Sequence, residues 1–515
     1  MNGAHEASMD AKSCEKCSDL ELVTSLAAAY AFFEAYKEDY PPRSFRVCGF
    51  SNRLSRDSEC PLCSFFRRMR IEPDQYENHR LIALSGSFLH FLNRGRMRNR
   101  QAWSVISGYF FLAVVPDVES MGPDEYDPWW LVEGCRLSGT IHPIIPREIN
   151  AASNSILRPR LLKDLVDMSI VLHWLSFCKT HHKDRCMAQK GNAGHLQNFR
   201  VINCMASPPC LEIRPFEDPY VALSYVWGTG EPEPWPQVVL DAVAVTLGIG
   251  LKYLWVDRLC IDQTNAQEKH YLIANMEWIY RCADLTIVAA AGSDARHGLP
   301  GAGSTWRPSR SQPHVVLNHD IQLVSSLPDP RLVIGESVWS SRGWTYQEGV
   351  LSARRLVFTD WQVYFECRGM AVQESLDLPL AILHDESGQK MENFVRSSIF
   401  RGSSEASFST PETIWGFDDE ELSDIFSRIA QLETHICAYT RRTLSYEADS
   451  LRAFEGIAKR YGSTNGIGTI LGIPIWEIGY GERCLSLLHQ FAFGLVLESH
   501  KRQRNGSGGS WSERG

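Results

Sequence analysis

The chain has 515 residues, 44% of them hydrophobic and 22% charged, which is enough apolar content for sizeable buried cores and excludes a wholly disordered protein. Its net charge of -9 argues against nucleic acid as the main partner, because phosphate binding needs a concentrated basic face. At about 150 residues per domain, such a length predicts roughly three domains.

The first region spans residues 1–160. Asp19 to Tyr36 reads as an amphipathic helix with Leu20, Val23, Leu26, Ala27, Tyr30 and Phe33 on one side. Leu81 to Phe91 and Tyr109 to Val115 read as strands. The arginine-dense run Arg94, Arg96, Arg98 and Arg100 between them reads as a solvated loop. Pro116, Gly122, Pro123 and Pro128 mark a further loop. An α+β accessory region is expected here.

The second region spans 161–378, with its core at 220–367. Leu161 to Phe177 reads as a helix. Tyr220 to Tyr225, Tyr253 to Val256 and Asp284 to Ala290 read as short buried strands separated by helical stretches. That alternation predicts an α/β fold with a mainly parallel sheet flanked by helices. The third region, 379–515, reads as polar loops and then helices, including Asp419 to Tyr439. It is expected to be mostly helical with a disordered tail.

The amino terminus shows no basic region followed by an apolar core, and no apolar stretch is long enough to span a bilayer. A cytoplasmic protein is therefore expected, with its 15 cysteines mostly reduced and either buried as small hydrophobes or bound to metal. Cys14-x-x-Cys17 and Cys60-x-x-Cys63 have the spacing of structural zinc ligands, with Cys48 nearby. Cys178, His181 and Cys186 form another candidate set, without an evident fourth ligand.

The most informative stretch lies in the middle. The strand Tyr220-Val221-Ala222-Leu223-Ser224-Tyr225 runs into the corner Val226-Trp227-Gly228. The strand Tyr253-Leu254-Trp255-Val256 ends at Asp257, followed by Arg258-Leu259-Cys260-Ile261-Asp262-Gln263. In parallel sheets the carboxyl ends of strands face ligand crevices, which makes acids there candidate site residues. Asp257 and Asp262 also suit a simpler role as turn or helix caps. A helix with Ile273, Met276, Ile279, Tyr280 and Ala283 on one face follows, then the strand Asp284 to Ala290. The block Trp339-Ser340-Ser341-Arg342-Gly343-Trp344-Thr345-Tyr346-Gln347-Glu348 closes the series. No Walker loop, Gly-x-Ser-x-Gly elbow, His-Glu-x-x-His or strand-borne Gly-x-Gly-x-x-Gly is present.

These blocks, in this order, resemble the fungal heterokaryon-incompatibility (HET) domain over about residues 171–370. Two positions depart from the family pattern. Trp235-Pro236-Gln237-Val238 stands before Asp241-Ala242 where a Leu-Pro-x-Thr segment is usual, and Leu272 replaces a glutamine. The resemblance implies a TIR-like (flavodoxin-like) fold and a role as a cell-death effector or regulator in non-self recognition, through a protein partner or self-association. Some TIR domains cleave NAD at the nicotinamide N-glycosidic bond, using a glutamate one helical turn after a tryptophan and shortly after a serine. Ser341, Trp344 and Glu348 have that arrangement here. Carried over, it makes Glu348 the catalytic carboxylate, Asp257 a second one, Trp227 and Trp344 ring-stacking groups, and Arg258 and Arg342 phosphate holders, with NAD as substrate. The alternatives are a Glu348 paired with Arg342 or Arg354 to fix a helix, core tryptophans, a solvated Arg258, and a non-catalytic self-associating scaffold or inactive family member.

Overall fold

The computed structural model describes residues 14–36, 44–86, 104–117, 128–144, 157–187, 196–228, 235–307, 312–391 and 432–476, apart from short gaps inside these ranges. The arginine-dense run, the stretch 419–431 and the tail fall outside the described residues.

The amino-terminal region is built on a six-stranded antiparallel sheet. Its order is Ser44–Ser51, His79–Ser85, Phe110–Pro116, Ile141–Ile144, Gln322–Ser325 and His314–Val316. The last two strands come from inside the middle region, so the two regions share one sheet. His79–Ser85 and Phe110–Pro116 are buried along their whole length because apolar side chains cover both faces. The predicted first helix forms over Leu22–Ala35, but the buried residues are Leu22, Leu26, Ala29 and Phe33. That 4-3-4 spacing keeps one face inward, and Val23 and Ala27 are exposed.

The middle region holds an eight-stranded sheet. In chain order its strands are β1 (Arg200–Asn203), β2 (Cys210–Ile213), β3 (Val221–Ser224), β4 (Tyr253–Val256), β5 (Leu285–Ala289), β6 (Arg354–Phe358), β7 (Val363–Cys367) and β8 (Ala371–Gln373). Their order in the sheet is β8-β7-β6-β5-β3-β4-β1-β2. The three ladders joining β6, β5, β3 and β4 are parallel, and the four outer ones are antiparallel. The fold is therefore mixed α/β, and the expected mainly parallel sheet is corrected. The turns between β1 and β2, β6 and β7, and β7 and β8 are too short for a helical crossover, which forces antiparallel neighbours.

The helices used below are α1 (Met168–His181), α2 (Lys183–Cys186), α3 (Gln237–Gly248), α4 (Asp257–Cys260), α5 (Ala266–Ala274), α6 (Met276–Cys282), α7 (Pro330–Glu336), α8 (Val338–Ser341) and α9 (Gly343–Leu351). The helix predicted from Leu161 begins later, at Met168. Asp167 caps it by accepting the Ser169 N–H at 3.1 Å, while Leu161 and Leu165 are exposed. Within the four parallel strands, the first and third in the chain (β3 and β5) lie side by side and the second and fourth lie outside them. The chain thus leaves β3 in one direction to form β4 and returns on the other side as β5, creating a switch point at their carboxyl ends.

Two buried features secure this sheet. Arg355 of β6 and Glu366 of β7 pair at 2.7 Å with no exposed side-chain surface, and the Tyr364 hydroxyl donates to Glu366 at 2.9 Å. Asp241 on α3, also fully buried, accepts the Leu299 N–H at 2.9 Å and the Thr305 hydroxyl at 2.6 Å, pinning the loop after β5. Beyond residue 379 the described residues include helix Arg452–Thr464, but also the hairpins His384–Met391 and Ile467–Trp476. The described part of that region is thus mixed rather than mostly helical. Among the described residues, no helix is long and apolar enough to cross a membrane.

Candidate functional site

The site forms where β3 and β4 end. Val221, Ala222 and Leu223 carry β3 through the core, and Ser224 is its last residue, fully buried. The chain then turns at Gly228, which has φ +82° and lies so close to Asp294 that an added Cβ would sit 2.5 Å from that side chain. Only glycine fits this corner without strain. The turn carries Trp227 to the rim, 36% exposed.

Asp257, the first residue after β4, is half-buried. Its carboxylate accepts the Trp227 indole N–H at 3.1 Å and the Arg258 backbone N–H at 2.7 Å. The Arg258 guanidinium lies over the Trp227 ring, 5.3 Å from its centre. One face of that indole is therefore already covered by a cation. Asp262 serves the simpler role, accepting the Thr264 N–H at 2.9 Å in a local turn.

Glu348 comes in on α9 and is 6% exposed. It accepts the Ser224 hydroxyl at 2.5 Å, and Ser224 Oγ in turn accepts the Trp339 indole N–H at 2.7 Å. The Tyr280 hydroxyl, on α6, donates to the Leu223 carbonyl at 3.1 Å and also stands at the Glu348 carboxyl. The Tyr225 hydroxyl, close to both acids, is buried with no hydrogen-bond partner among the described residues. Arg354 points elsewhere and does not pair with Glu348: it donates to Cys178 Sγ and the Asp284 carbonyl.

Glu348 and Asp257 therefore lie close enough for each other's charge to be felt. Burial, reinforced by the Asp257 charge, pushes the Glu348 carboxyl up to about 7, against the opposing pull of Ser224 and Arg342. Burial likewise raises Asp257 to about 6, although Arg258, Trp227 and Arg342 favour its charged form. With both carboxyls raised toward neutral pH, each can pass between its acid and its charged form there, and so serve as a base or as a stabiliser of positive charge.

Other sequence candidates fall outside this cluster. Trp344 packs against the hydrophobic cores, and Ser341 is exposed with its hydroxyl donating to the Val338 carbonyl at 2.8 Å. The serine at the glutamate is Ser224 instead. Ser224, Tyr225, Tyr280 and Trp339 were missed as site residues. The signal available for Ser224 and Tyr225 was a polar atom at the carboxyl end of an otherwise apolar strand; Tyr280 and Trp339, on α6 and α8, gave none.

Both cysteine sets converge. The sulfurs of Cys14, Cys17, Cys60 and Cys63 all lie within 4.8 Å of one another, with Cys17 and Cys63 at 3.3 Å. Cys48 lies beside this core and outside the cluster. In the second set Cys178 and Cys186 meet His182 and Cys367, again within 4.8 Å. His181 instead stacks on Phe177, 4.1 Å between ring centres. Among the described residues none of the cysteines is in a disulfide.

No curated protein and no solved structure matches the chain. Residues 220–348 match the sequence family described as Heterokaryon incompatibility protein (HET), a span that starts at the tyrosine just before β3 and ends on Glu348 itself. With these strands, this corner and this glutamate inside the matched span, the chain carries a HET domain over residues 220–348.

Proposed function

We propose that the HET domain is the toxic or signalling module of a cytoplasmic effector of fungal non-self recognition and programmed cell death, and that it acts as a TIR-like glycohydrolase on NAD or a related nucleotide. The observation that carries this reading is Glu348, hydrogen-bonded to Ser224 at the end of β3 and within electrostatic reach of Asp257 just after β4, beside the switch point. The strand order of the four parallel strands supports the TIR-like part.

In the proposed reaction the bond between ribose C1′ and the nicotinamide nitrogen breaks, and its electron pair leaves with the ring, which departs neutral. Positive charge builds on the ribose, and ionised Glu348 stabilises it in a largely dry pocket. Water adds to C1′ and gives its proton to Asp257, so NAD and water yield nicotinamide, ADP-ribose and a proton. Arg342, close enough to favour the charged form of both acids, is placed to hold a phosphate, as is Arg258 once it swings off Trp227.

The flanking regions hold this module at rest, and a protein partner or self-association shifts it toward an active assembly. The test is incubation of the purified full chain with NAD. Nicotinamide release that disappears in a folded Glu348→Ala variant supports the enzyme, whereas no turnover by self-associated protein reduces the domain to a scaffold. Growth arrest on expression in a fungal host, dependent on the middle region, tests the effector role separately.

The amino-terminal cysteines are proposed to hold a structural zinc. Their paired Cys-x-x-Cys spacing and the convergence of four sulfurs from the start of the chain and helix Pro61–Arg68 support it.

A further inference from the structure

We propose that Cys178, His182, Cys186 and Cys367 form a second metal site, a Cys₃His zinc centre that clamps together the chain segments flanking the HET domain. This inference does not depend on the glycohydrolase reading.

The argument begins with helix periodicity. Residues 178, 182 and 186 are four apart, so they stack on one face as long as the helical path continues. It does continue across the junction of α1 and α2: the His182 N–H donates to the Cys178 carbonyl at 3.0 Å and the Cys186 N–H to the His182 carbonyl at 2.9 Å. The fourth group arrives from far along the chain, at the end of β7. His182 Nδ1 lies 3.3 Å from Cys367 Sγ. In a tetrahedral zinc centre with Zn–S bonds of about 2.3 Å, neighbouring ligand atoms are roughly 3.8 Å apart. The four ligand atoms here fall within 4.8 Å of one another.

Burial strengthens the case. All four residues are completely buried, and a histidine facing three thiols is an expensive way to fill a core unless a metal uses them. The surroundings suit thiolates. The Arg354 guanidinium, itself 6% exposed, donates to Cys178 Sγ at 3.1 Å, and the Gly369 N–H donates to Cys367 Sγ at 3.4 Å. Three thiolates, a divalent ion, a neutral imidazole and this guanidinium sum to zero charge, which lowers the cost of burying them together. Gly369 also leaves room for the imidazole: a Cβ there would lie 2.6 Å from His182 Cγ.

The position assigns the role. Cys367 pairs with Arg354, the first residue of β6, so the cluster sits at the amino-terminal edge of the parallel strands. The carboxylates occupy the opposite edge. The metal would therefore act on folding and on the link between α1–α2 and β7, and would not touch the reacting atoms.

The test uses the reduced full chain with Cys14→Ser and Cys60→Ser introduced to remove the other cluster. About one equivalent of zinc is expected to remain, and to be lost when Cys186→Ser or Cys367→Ser is added. Loading with Co²⁺ should give sulfur-to-metal charge transfer and the visible bands of a tetrahedral site. His182→Cys should keep that loading and shift the visible bands. Absence of metal from the background variant, together with Co²⁺ uptake by the unmutated chain that Cys178→Ser/Cys186→Ser leaves unchanged, overturns the site. If the background variant does not fold, X-ray absorption of the zinc-loaded unmutated chain decides: imidazole nitrogen in the shell supports the centre, and an all-sulfur shell overturns it.

Discussion

Two buried glutamates, Glu366 and Glu348, lie in the same domain and are treated in opposite ways. Glu366 faces Arg355 at 2.7 Å, charge against charge, with the Tyr364 hydroxyl as a further donor. Glu348 is met by neutral hydroxyls from Ser224 and Tyr280, and its strongest charged influence is another acid, Asp257. One arrangement fixes the sheet by satisfying a charge. The other keeps a carboxyl group close to neutrality, at a cost in stability that a purely structural residue would not carry.

Breaking the first pair should produce the largest effect. Glu366→Ala leaves Arg355 charged and buried, and should destabilise the domain by about 3–5 kcal/mol, read as a lower thermal midpoint and a lower soluble yield. Replacing both partners with apolar residues of similar volume should recover much of that loss.

The matching change at the second site should have the opposite sign. Glu348→Gln should lower the proposed NAD turnover by about 10²- to 10³-fold while the protein stays folded. Stability should also lose a pH dependence. The Glu348 carboxyl is raised from 4.5 to about 7, so the folded state retains a proton that the unfolded chain releases. Stability then falls as pH rises between those values, by at most on the order of 3 kcal/mol. Thermal midpoints of the wild type and Glu348→Gln across this range should converge at low pH, with the variant more stable at pH 8. A variant less stable at pH 8 would place Glu348 with Glu366 as a structural residue.

Smaller changes sharpen the contrast. Asp257→Asn removes the repulsion that helps to hold Glu348 up, so the inflection in its pH profile should move down by about one unit. Ser224→Ala removes a donor to the charged carboxylate and should move the same inflection up, at a cost of about 1 kcal/mol in stability. Opposite shifts from neighbouring positions, followed in the pH dependence of turnover or by carboxyl NMR, distinguish an electrostatic site from general damage.

Much of this was legible in the sequence, for stated physical reasons. Short apolar runs bounded by turn residues marked β3, β4 and β5 to within a residue or two, because strands buried on both faces leave a continuous hydrophobic signal. Glu348 stood out through the ordered family blocks. The sheet's antiparallel flanks did not, since pairing direction depends on loop lengths and partners that periodicity does not encode. What stayed hidden at Ser224 was its partner, because a serine at the end of a strand motif gives no sign of which helix will face it. Cys367 was out of reach in the same way, lying 185 positions from His182. The choice between His181 and His182 turned on helical phase, which only the fold resolves.

The strands His314–Val316 and Gln322–Ser325 lie inside the family-matched span, yet they complete the amino-terminal sheet, with Val324 opposite His142 and Leu323 opposite Pro143. A fragment cut to the matched span alone would carry this hairpin without its partner, leaving a row of unsatisfied backbone groups and the greasy side chains of Ile321 and Leu323 as a template for clumping. The same stitching ties the front of the chain to the domain that bears Glu348. Only a short tract, 326–342, separates the sewn-in hairpin from the helix that bears the glutamate, so pulling on the first sheet tugs at the second.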